Sequence, residues 1–154
     1  MKKNILISRS PEETEKIGEK IAKGLRGGEL IFLSGILGAG KTVLVRGITK
    51  SLGIKSKIPS PTFNIFRLYE CTFPKSLKKG KFYHFDCYRL KKYSDLKKLG
   101  WEEIIGDEDS VVVLEWPECI VDRDITKLKN KNTISVDIKI GKSNERAFDI
   151  QYKK

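Results

Sequence analysis

The residues with the clearest chemical potential in this sequence are eight consecutive ones, positions 35–42, which read GILGAGKT. They match the pattern G-x-x-x-x-G-K-[ST], which is typical of loops that bind the phosphates of a nucleoside triphosphate. The glycines of such a loop allow backbone N–H groups to turn towards the phosphates. Lys41 is expected to reach the β- and γ-phosphates, and the Thr42 hydroxyl is expected to bind Mg²⁺. The sequence therefore predicts a phosphate-binding loop.

The segments on either side of this loop have the patterns of a strand and a helix. Residues 30–33, LIFL, form a short apolar run that is typical of a buried parallel strand. After the loop, Leu44, Ile48 and Leu52 recur at helical spacing, and Gly53 is a stop signal. A helix N-terminus offers unpaired N–H groups and partial positive charge, which favour an anion. The alternative is a glycine-rich turn that binds nothing, and the agreement of motif and context argues against it.

A second group of candidate residues is acidic, because a phosphate loop needs a carboxylate to hold Mg²⁺ or its bound water. Such a residue usually follows an apolar strand next to the loop. Glu115 follows four apolar residues at positions 111–114, and Asp86 ends the aromatic segment that begins at Phe82. Each could also be an ordinary solvated carboxylate at a strand end. We favour a metal-binding or catalytic role for both.

Three further residues are open to two interpretations. Thr62 lies on a proline-punctuated connection, where switch regions meet the γ-phosphate, but an ordinary turn explains it equally well. Trp116 adjoins Glu115 and could either stack on a base or pack at the edge of the domain. His84 alternates to the same strand face as Asp86, and a histidine in such a position is more often structural.

The secondary-structure elements that must position these residues are predicted from hydrophobic periodicity and from the residues that start and end helices and strands. Ser10, Pro11 and Glu13 form the start signal of a helix that ends at Gly27-Gly28. Aromatic and β-branched residues predict strands over 62–69 and 82–86, paired antiparallel across an exposed loop at 71–81. The other predicted elements are a short helix over 94–99, a helical turn over 101–105, a buried strand over 111–114 and a hairpin of 133–140 with 146–152. Together they predict an α/β fold of the P-loop NTPase type with three layers, in which a central mixed sheet has helices on both faces and antiparallel additions.

Composition sets the outer limits of the interpretation. A length of 154 residues predicts one domain, 1–154, and the hydrophobic fraction of 39% is compatible with a soluble globular protein. No apolar run is long enough for a membrane span or a signal peptide, so we expect a cytoplasmic protein with no membrane contact. Three separated cysteines and one histidine argue against a disulfide framework and a histidine-rich metal site. The net charge of +11 fits either a nucleic-acid partner or a lysine-rich solvated surface.

Four segments together resemble the TsaE (YjeE) family, the bacterial ATPases for threonylcarbamoyladenosine formation in tRNA. They are the loop at 35–42, SPTF at 60–63, HFDCYR at 84–89 and EWP at 115–117, in the order and spacing of that family. The last two are more discriminating than the loop. The resemblance implies slow, Mg²⁺-dependent ATP hydrolysis together with TsaD and TsaB, whose complex transfers a threonylcarbamoyl group to adenosine 37 of tRNA. Hydrolysis would reset that complex, and tRNA would be met through it.

The resemblance also implies roles for particular residues. Asp86 would lie near the γ-phosphate as a catalytic or metal-water carboxylate, Thr42 and Glu115 would bind Mg²⁺, and Thr62 would belong to a switch loop. Lys41 would contact the phosphates as a catalytic cation. The nucleotide-binding set that the resemblance implies consists of Pro11, Gly35, Gly38, Ala39, Gly40, Lys41, Thr42, Val43 and Trp116.

Two positions depart from the family pattern. The family commonly has Asp at the position of Ile36 and often Thr at the position of Val43. Ile36 removes a carboxylate but leaves the backbone groups that cradle phosphate, whereas Val43 removes a hydroxyl near the α-phosphate. The alternatives are a stand-alone small-molecule kinase of the P-loop class and a nucleic-acid-binding regulator. Such kinases normally have a lid with arginines, and Arg89 is the only arginine placed near a candidate site.

Overall fold

A computed structural model describes residues 3–59, 65–128 and 132–154 of the chain. Its regular elements are seven strands and four α-helices within these ranges. The strands are β1 (Lys3–Ser8), β2 (Leu30–Ser34), β3 (Phe66–Thr72), β4 (Lys79–Asp86), β5 (Ser110–Glu115), β6 (Thr133–Ile140) and β7 (Arg146–Lys153). The helices are α1 (Pro11–Ala22), α2 (Lys41–Ser51), α3 (Tyr93–Lys97) and α4 (Trp101–Gly106). None of these helices is long and apolar enough to cross a membrane.

All seven strands form one mixed sheet in the order β1-β7-β6-β2-β5-β4-β3. The central strand β2 runs parallel to both β5 and β6, and β5 runs parallel to β4. The outer strands β3 and β7 pair antiparallel with β4 and β6. Because β2, β4, β5 and β6 point the same way, their carboxyl ends meet at one edge of the sheet. The phosphate loop follows β2 at this edge, where ligands bind in open α/β sheets.

Helices cover both faces of this sheet, which confirms the predicted three-layer α/β architecture. Successive residues of a strand point to opposite faces, and β2 shows the consequence. Ile31 and Leu33 join the apolar cluster that contains α1 and α2. Leu30 and Phe32 join a second cluster on the other face, built around the fully buried Trp101 of α4. Since both faces of β2 are buried, it reads in the sequence as a continuous apolar run.

Helices α1 and α2 approach each other unusually closely, because glycines occupy the contact on both helices. A Cβ added at Gly47 of α2 would lie 2.0 Å from the backbone oxygen of Glu15. A Cβ added at Gly18 of α1 would lie 2.3 Å from the backbone oxygen of Leu44. This contact places the amino end of α1 beside the phosphate loop, since α2 begins directly after that loop.

Most of the predicted elements are confirmed, but three differ clearly, and the first residues of the strand predicted over 62–69 lie outside the described residues. The first strand, β1, was not predicted at all; it pairs with β7, almost the whole length of the chain away. Helix α1 ends at Ala22 rather than at Gly27-Gly28, because the next bonds tighten to three-residue spacing, from Gly24 N–H to the Ile21 carbonyl at 3.2 Å. At its start, Ser10 caps the helix as predicted, accepting from the Glu13 N–H at 3.1 Å.

The loop predicted at 71–81 is the third difference, because both of its ends belong to strands. Strand β3 continues to Thr72 and β4 already begins at Lys79, which leaves a short turn between them. The turn closes through the Phe73 N–H, which donates to the Lys78 carbonyl at 2.9 Å, and the Phe73 side chain is fully buried. Of the lysines that suggested an exposed loop, Lys79 and Lys81 are exposed residues of β4, whereas Lys75 and Lys78 are exposed residues of the turn.

Candidate phosphate-binding site at the carboxyl edge of the sheet

The phosphate loop has the backbone conformation that its glycines permit. Gly40 is the N-cap of α2 and has φ 106°, and Gly38 has φ 79°, both in the left-handed region. The helix then begins at Lys41, and the Leu44 N–H donates to the Gly40 carbonyl at 3.0 Å. The loop therefore directs the amino end of α2, with its unpaired N–H groups, towards the carboxyl edge of the sheet.

Lys41 is held inside this loop and is only 6% exposed. Its ammonium group donates to the carbonyl oxygens of Gly35 at 2.5 Å and Ile36 at 3.2 Å. The same nitrogen lies 3.9 Å from the centre of the Trp116 ring. Burial lowers the pKa of Lys41, and the nearby carboxylates, first that of Glu115, oppose this change. The lysine is thus pre-positioned among groups that a phosphate oxygen can replace.

Trp116 reaches the lysine because its backbone is in an unusual conformation. Its φ is 60° and its ψ is 49°, a left-handed conformation that tryptophan rarely adopts. Its N–H donates to the carbonyl of Leu33 at the end of β2, at 3.1 Å. The ring also lies 5.0 Å from that of Tyr88. The strained turn after β5 therefore brings an aromatic wall to the phosphate loop.

Asp86 and Glu115 lie side by side at the ends of two neighbouring strands. They are register partners in the parallel pair β4–β5, and the Cys87 N–H ties the strand ends together by donating to the Glu115 carbonyl at 3.0 Å. Glu115 is 2% exposed and Asp86 8% exposed. Burial raises the pKa of Asp86, although its side chain accepts a hydrogen bond from the Tyr88 N–H at 2.9 Å.

His84 adds a buried partner for Glu115. Its Nε2 atom lies 3.2 Å from Glu115 Oε1, and the histidine side chain is completely buried. An ionised carboxylate can only accept, so Nε2 carries the hydrogen of this bond. The other ring nitrogen, Nδ1, has no hydrogen-bond partner among the described residues. The sequence placed His84 on the face of Asp86, but the structure joins it to Glu115 on the neighbouring strand.

These side chains surround a cavity of about 460 Å³ in front of the phosphate loop. Its lining includes Asp86, Glu115, Trp116 and Tyr88 opposite the loop residues 37–43. Two buried carboxylates face a single buried ammonium group there, so the cavity can accept further positive charge. The described residues contain no cluster of three or more His, Cys, Asp or Glu side chains suited to a metal. Hydroxyl and carboxylate oxygens supplemented by phosphate and water are the ligand set that suits Mg²⁺.

A second cavity, of about 390 Å³, adjoins the first on the side of α1. Its lining shares Gly38, Gly40 and Val43 with the first cavity. It adds Pro11, Asn144 from the β6–β7 connection and Arg146 at the start of β7. Arg146 also contacts the loop, since it donates to the Gly38 carbonyl at 3.4 Å. The two cavities therefore meet along the loop and the first turn of α2.

The structure brings most of the predicted site residues together. Thr42, Val43 and Ala39 line the first cavity with the other loop residues, and Pro11 lines the second. Gly35 lines neither, and contributes its carbonyl to Lys41. Ile36 is 64% exposed, so its side chain points away from the loop interior. Thr62 lies outside the described residues.

Several site residues were missed by the sequence reasoning. Tyr88 belongs to the HFDCYR segment, and its position two residues after Asp86 was the available signal. Ser34 ends β2 and donates to Glu118 at 3.2 Å. Arg146 and Asn144 had no local signal, because they reach the loop only when β7 folds back across β6.

The mixed sheet, the loop after its central strand and the paired carboxylates define a P-loop NTPase-like α/β protein. The described fold superposes on a crystal structure of YdiB from Bacillus subtilis with a TM-score of 0.71 and 25% identity, over 97% of this chain and 84% of that one. Residues 8–148 match the family model for threonylcarbamoyl adenosine biosynthesis protein TsaE. The chain belongs to the TsaE family.

Individual relatives agree with this assignment. A Rickettsia felis protein named tRNA threonylcarbamoyladenosine biosynthesis protein TsaE is 33% identical over 95% of this chain and 78% of its own length. A protein of the same name from Rickettsia prowazekii is 32% identical over 92% of this chain and 90% of its own length. The relative from Aquifex aeolicus is 38% identical over 73% of this chain and 76% of its own length. The suspected resemblance is thereby confirmed.

Proposed function

We propose that this chain is a Mg²⁺-dependent ATP-binding protein and a weak ATPase that serves threonylcarbamoyladenosine formation at position 37 of tRNA. It acts in the cytoplasm with TsaD and TsaB and is not itself the transferase. The observation that supports this most directly is the convergence of Lys41, Asp86, Glu115 and Trp116 on the phosphate loop. Family membership supports the pathway, and the site supports the chemistry.

Each group in the site has a definite task in this proposal. The loop N–H groups bind the phosphates, and Lys41 exchanges the Gly35 and Ile36 carbonyls for the β- and γ-phosphate oxygens. Thr42 and Glu115 would hold Mg²⁺, which supplies positive charge between the phosphates and the protein when it is bound. Asp86 faces the same space and orients the attacking water or accepts its proton.

The neighbouring side chains keep this arrangement in place. His84 fixes the Glu115 carboxylate through its Nε2–H bond. Trp116 lies against Lys41 and its ring contacts that of Tyr88, so the two rings form an aromatic wall of the site. Among the described residues that line the cavity, Lys41 is the one cation, which fits slow hydrolysis that depends on a partner.

A stand-alone small-molecule kinase is the second candidate function, because it would use the same loop. Such kinases bring arginines over the phosphates from a mobile lid. Among the described residues, the arginines that line the two cavities are Arg9 and Arg146, and both lie on the α1 side. Arg9 is engaged with Glu145 at 2.9 Å. The geometry therefore favours the ATPase.

Hydrolysis of γ-labelled ATP tests the proposal. The purified chain is assayed alone, with tRNA, and with the TsaD–TsaB pair, and Lys41→Ala serves as a control for contaminating ATPases. The proposal predicts release of labelled inorganic phosphate that is strongly stimulated by the protein pair and absent from the variant. Transfer of the label to a small molecule would show that the protein is a kinase rather than an ATPase. A rate unaffected by the pair would overturn the partner-dependent role.

A further inference from the structure

The edge of the sheet opposite the phosphate loop carries a continuous basic surface. Strands β2, β4, β5 and β6 begin at this amino edge, and β3 and β7 end there. We define the basic edge by seven exposed residues that lie on these strand ends and on the segments joining them. They are Lys23, Arg26, Lys75, Lys78, Lys79, Lys81 and Lys153.

The width of the basic edge follows from the strands that separate its two ends, β7 and β4. Lys153 of β7 pairs with Thr133 of β6, which pairs with Leu30 of β2. On the other side, Lys81 of β4 pairs with Ser110 of β5. Four strand intervals of about 4.8 Å separate β7 from β4, so the basic edge is about 19 Å wide. That width allows contact with several phosphates of a nucleic-acid strand.

Backbone and side-chain bonds hold the separate segments of the surface together. Ser76, in the turn between β3 and β4, donates to the Arg26 carbonyl at 2.9 Å. The Lys75 N–H donates to the Leu25 carbonyl at 3.1 Å. The β3–β4 turn is thereby fixed to the segment after α1, and its lysines lie beside Arg26. The charges are presented on a rigid scaffold rather than on independent loops.

A cavity of about 430 Å³ connects Arg26 to the C-terminal strand. Its lining includes Tyr152, Lys153 and Lys154. The Tyr152 side chain is 45% exposed. An accessible aromatic ring among cations is the combination that proteins use to stack unpaired bases while binding the backbone. The basic edge therefore combines positive charge with an aromatic ring that can stack on a base.

The positive charge of this surface is only partly neutralised. Glu29 is buried beneath it, and its carboxylate accepts from the Arg26 and Gly27 N–H groups at 2.9 Å each. Asp109 lies 3.5 Å from the Lys78 ammonium group, the only ion pair of the basic edge within the described ranges. Glu108 approaches the same segment through its backbone, near Gly27. Glu70, the register partner of Lys81, is also exposed, so at least three exposed acidic residues accompany the seven cations in the described part of the chain.

We propose that the basic edge binds the phosphate backbone of an RNA, and that a tRNA is its partner. A rigid row of exposed cations with an adjoining aromatic ring suits a structured polyanion with unpaired bases. The family's pathway supplies such a molecule. This inference concerns the edge remote from the nucleotide cavity, and it does not depend on the proposed ATP hydrolysis.

Fluorescence anisotropy of a labelled, unmodified tRNA transcript tests this proposal with the whole chain. The test variant combines Lys23→Gln, Arg26→Gln, Lys75→Gln and Lys153→Gln. The matched control removes the same charge from the exposed lysines of the α3 region, as Lys91→Gln, Lys92→Gln, Lys97→Gln and Lys98→Gln. All eight positions are exposed, and thermal unfolding confirms that both variants are folded.

The test variant is expected to raise the dissociation constant for tRNA at least about 10-fold at about 50 mM salt. It should also reduce the slope of log affinity against log salt by about 3, because each lost phosphate contact lowers the slope by about 0.7 to 0.9. The control should change the dissociation constant less than about threefold. ATP hydrolysis should be unchanged in the test variant, which separates this inference from the proposed function.

Three outcomes would overturn the proposal. Equal losses in the test variant and its control would show that net charge alone attracts tRNA. Absence of tRNA binding by the unaltered chain at low salt would show that tRNA is not the partner of the basic edge. Binding of phosphatidylserine vesicles that is lost in the test variant, with tRNA binding intact, would assign the basic edge to a membrane surface instead.

Discussion

The two edges of the central sheet hold their charged side chains in opposite environments. At the carboxyl edge, Lys41, Asp86 and Glu115 are at most 8% exposed, and each has a defined neighbour. At the amino edge the charges point into solvent, and the side chains of Lys78 and Asp109 are 65% and 62% exposed. The difference predicts that single substitutions at the carboxyl edge have large effects on binding or hydrolysis. Single substitutions at the amino edge should each have a small effect on binding, and these effects should add up.

The two edges also differ in how their groups are arranged. At the carboxyl edge a loop, two strand ends and one strained turn converge on a single cavity. The basic edge is built from residues far apart in sequence, from Lys23 to Lys153. A cavity with fixed donors can recognise one small ligand, while a row of solvated cations suits an extended polyanion.

The largest expected effect is that of Lys41→Ala on nucleotide binding. Loss of the buried ammonium group should raise the dissociation constant for ATP at least about 100-fold, or about 2.7 kcal/mol. Titration with a fluorescent ATP analogue measures this change. Lys50→Ala on the same helix, which removes an exposed ion pair with Glu19, is the matched control and should bind ATP normally.

The tRNA affinity of Lys41→Ala tests whether the two edges act separately. Affinity for tRNA should stay within about twofold of the unaltered chain, because the basic edge is remote from the loop. Unchanged ATP affinity in this variant would mean that the loop is not the nucleotide site. Parallel loss of ATP and tRNA binding in a folded variant would mean that the two edges are not separate.

Glu115→Gln is expected to have the next largest effect, on hydrolysis rather than on binding. The amide keeps an oxygen for the His84 bond but loses the negative charge. Hydrolysis with TsaD and TsaB should fall about 100-fold, while ATP affinity changes little. Rates measured over a range of Mg²⁺ concentrations check this. Unaltered Mg²⁺ dependence would transfer the metal-binding role to Asp86.

His84 should have an intermediate effect, because it acts through Glu115. His84→Leu removes the Nε2–H bond and should lower the hydrolysis rate about 10-fold and raise the Mg²⁺ concentration required. His84→Gln retains a donor of similar reach and should restore most of the rate. A purely structural histidine would behave differently, since both variants would then lose stability without any change in Mg²⁺ dependence.

The smallest expected effect is a gain in stability on replacing Asp86. Burial raises its pKa in the folded chain, so the folded state binds this proton more tightly than the unfolded state does. Stability is consequently lost as pH rises through the raised pKa, and the ionised carboxylate is a cost at neutral pH. Asp86→Asn should therefore raise the Tm by about 2 °C at neutral pH.

Thermal unfolding in the presence of a chelator measures this gain. The gain should disappear below about pH 3, beneath the ordinary Asp pKa of 3.8, where the carboxyl group is protonated in both states. Asp109→Asn at the amino edge is the control, and it should not gain stability, because Asp109 is exposed and paired with Lys78. A similar gain in both variants would mean that burial of the Asp86 carboxyl group is not its cause.

Local sequence patterns were sufficient for the part of the fold nearest the site. Strand β2, the loop and α2 were predicted because periodicity and glycine punctuation act within a few residues. Strand β5 and the β6–β7 hairpin were predicted for the same reason. Strand β1 and the early end of α1 were not, because β1 exists through pairing with β7, and the packing around Leu25 sets the course of the chain after α1.

By itself, the sequence determined that a phosphate loop stands between a strand and a helix, and that carboxylates follow two apolar strands. Only the tertiary structure decided which groups meet. It paired Asp86 with Glu115, set His84 against Glu115 and placed Trp116 over Lys41. It also gathered the scattered lysines at one edge. The physical reason is that motifs depend on short-range backbone preferences, whereas strand order, register and burial depend on contacts between residues distant in the chain.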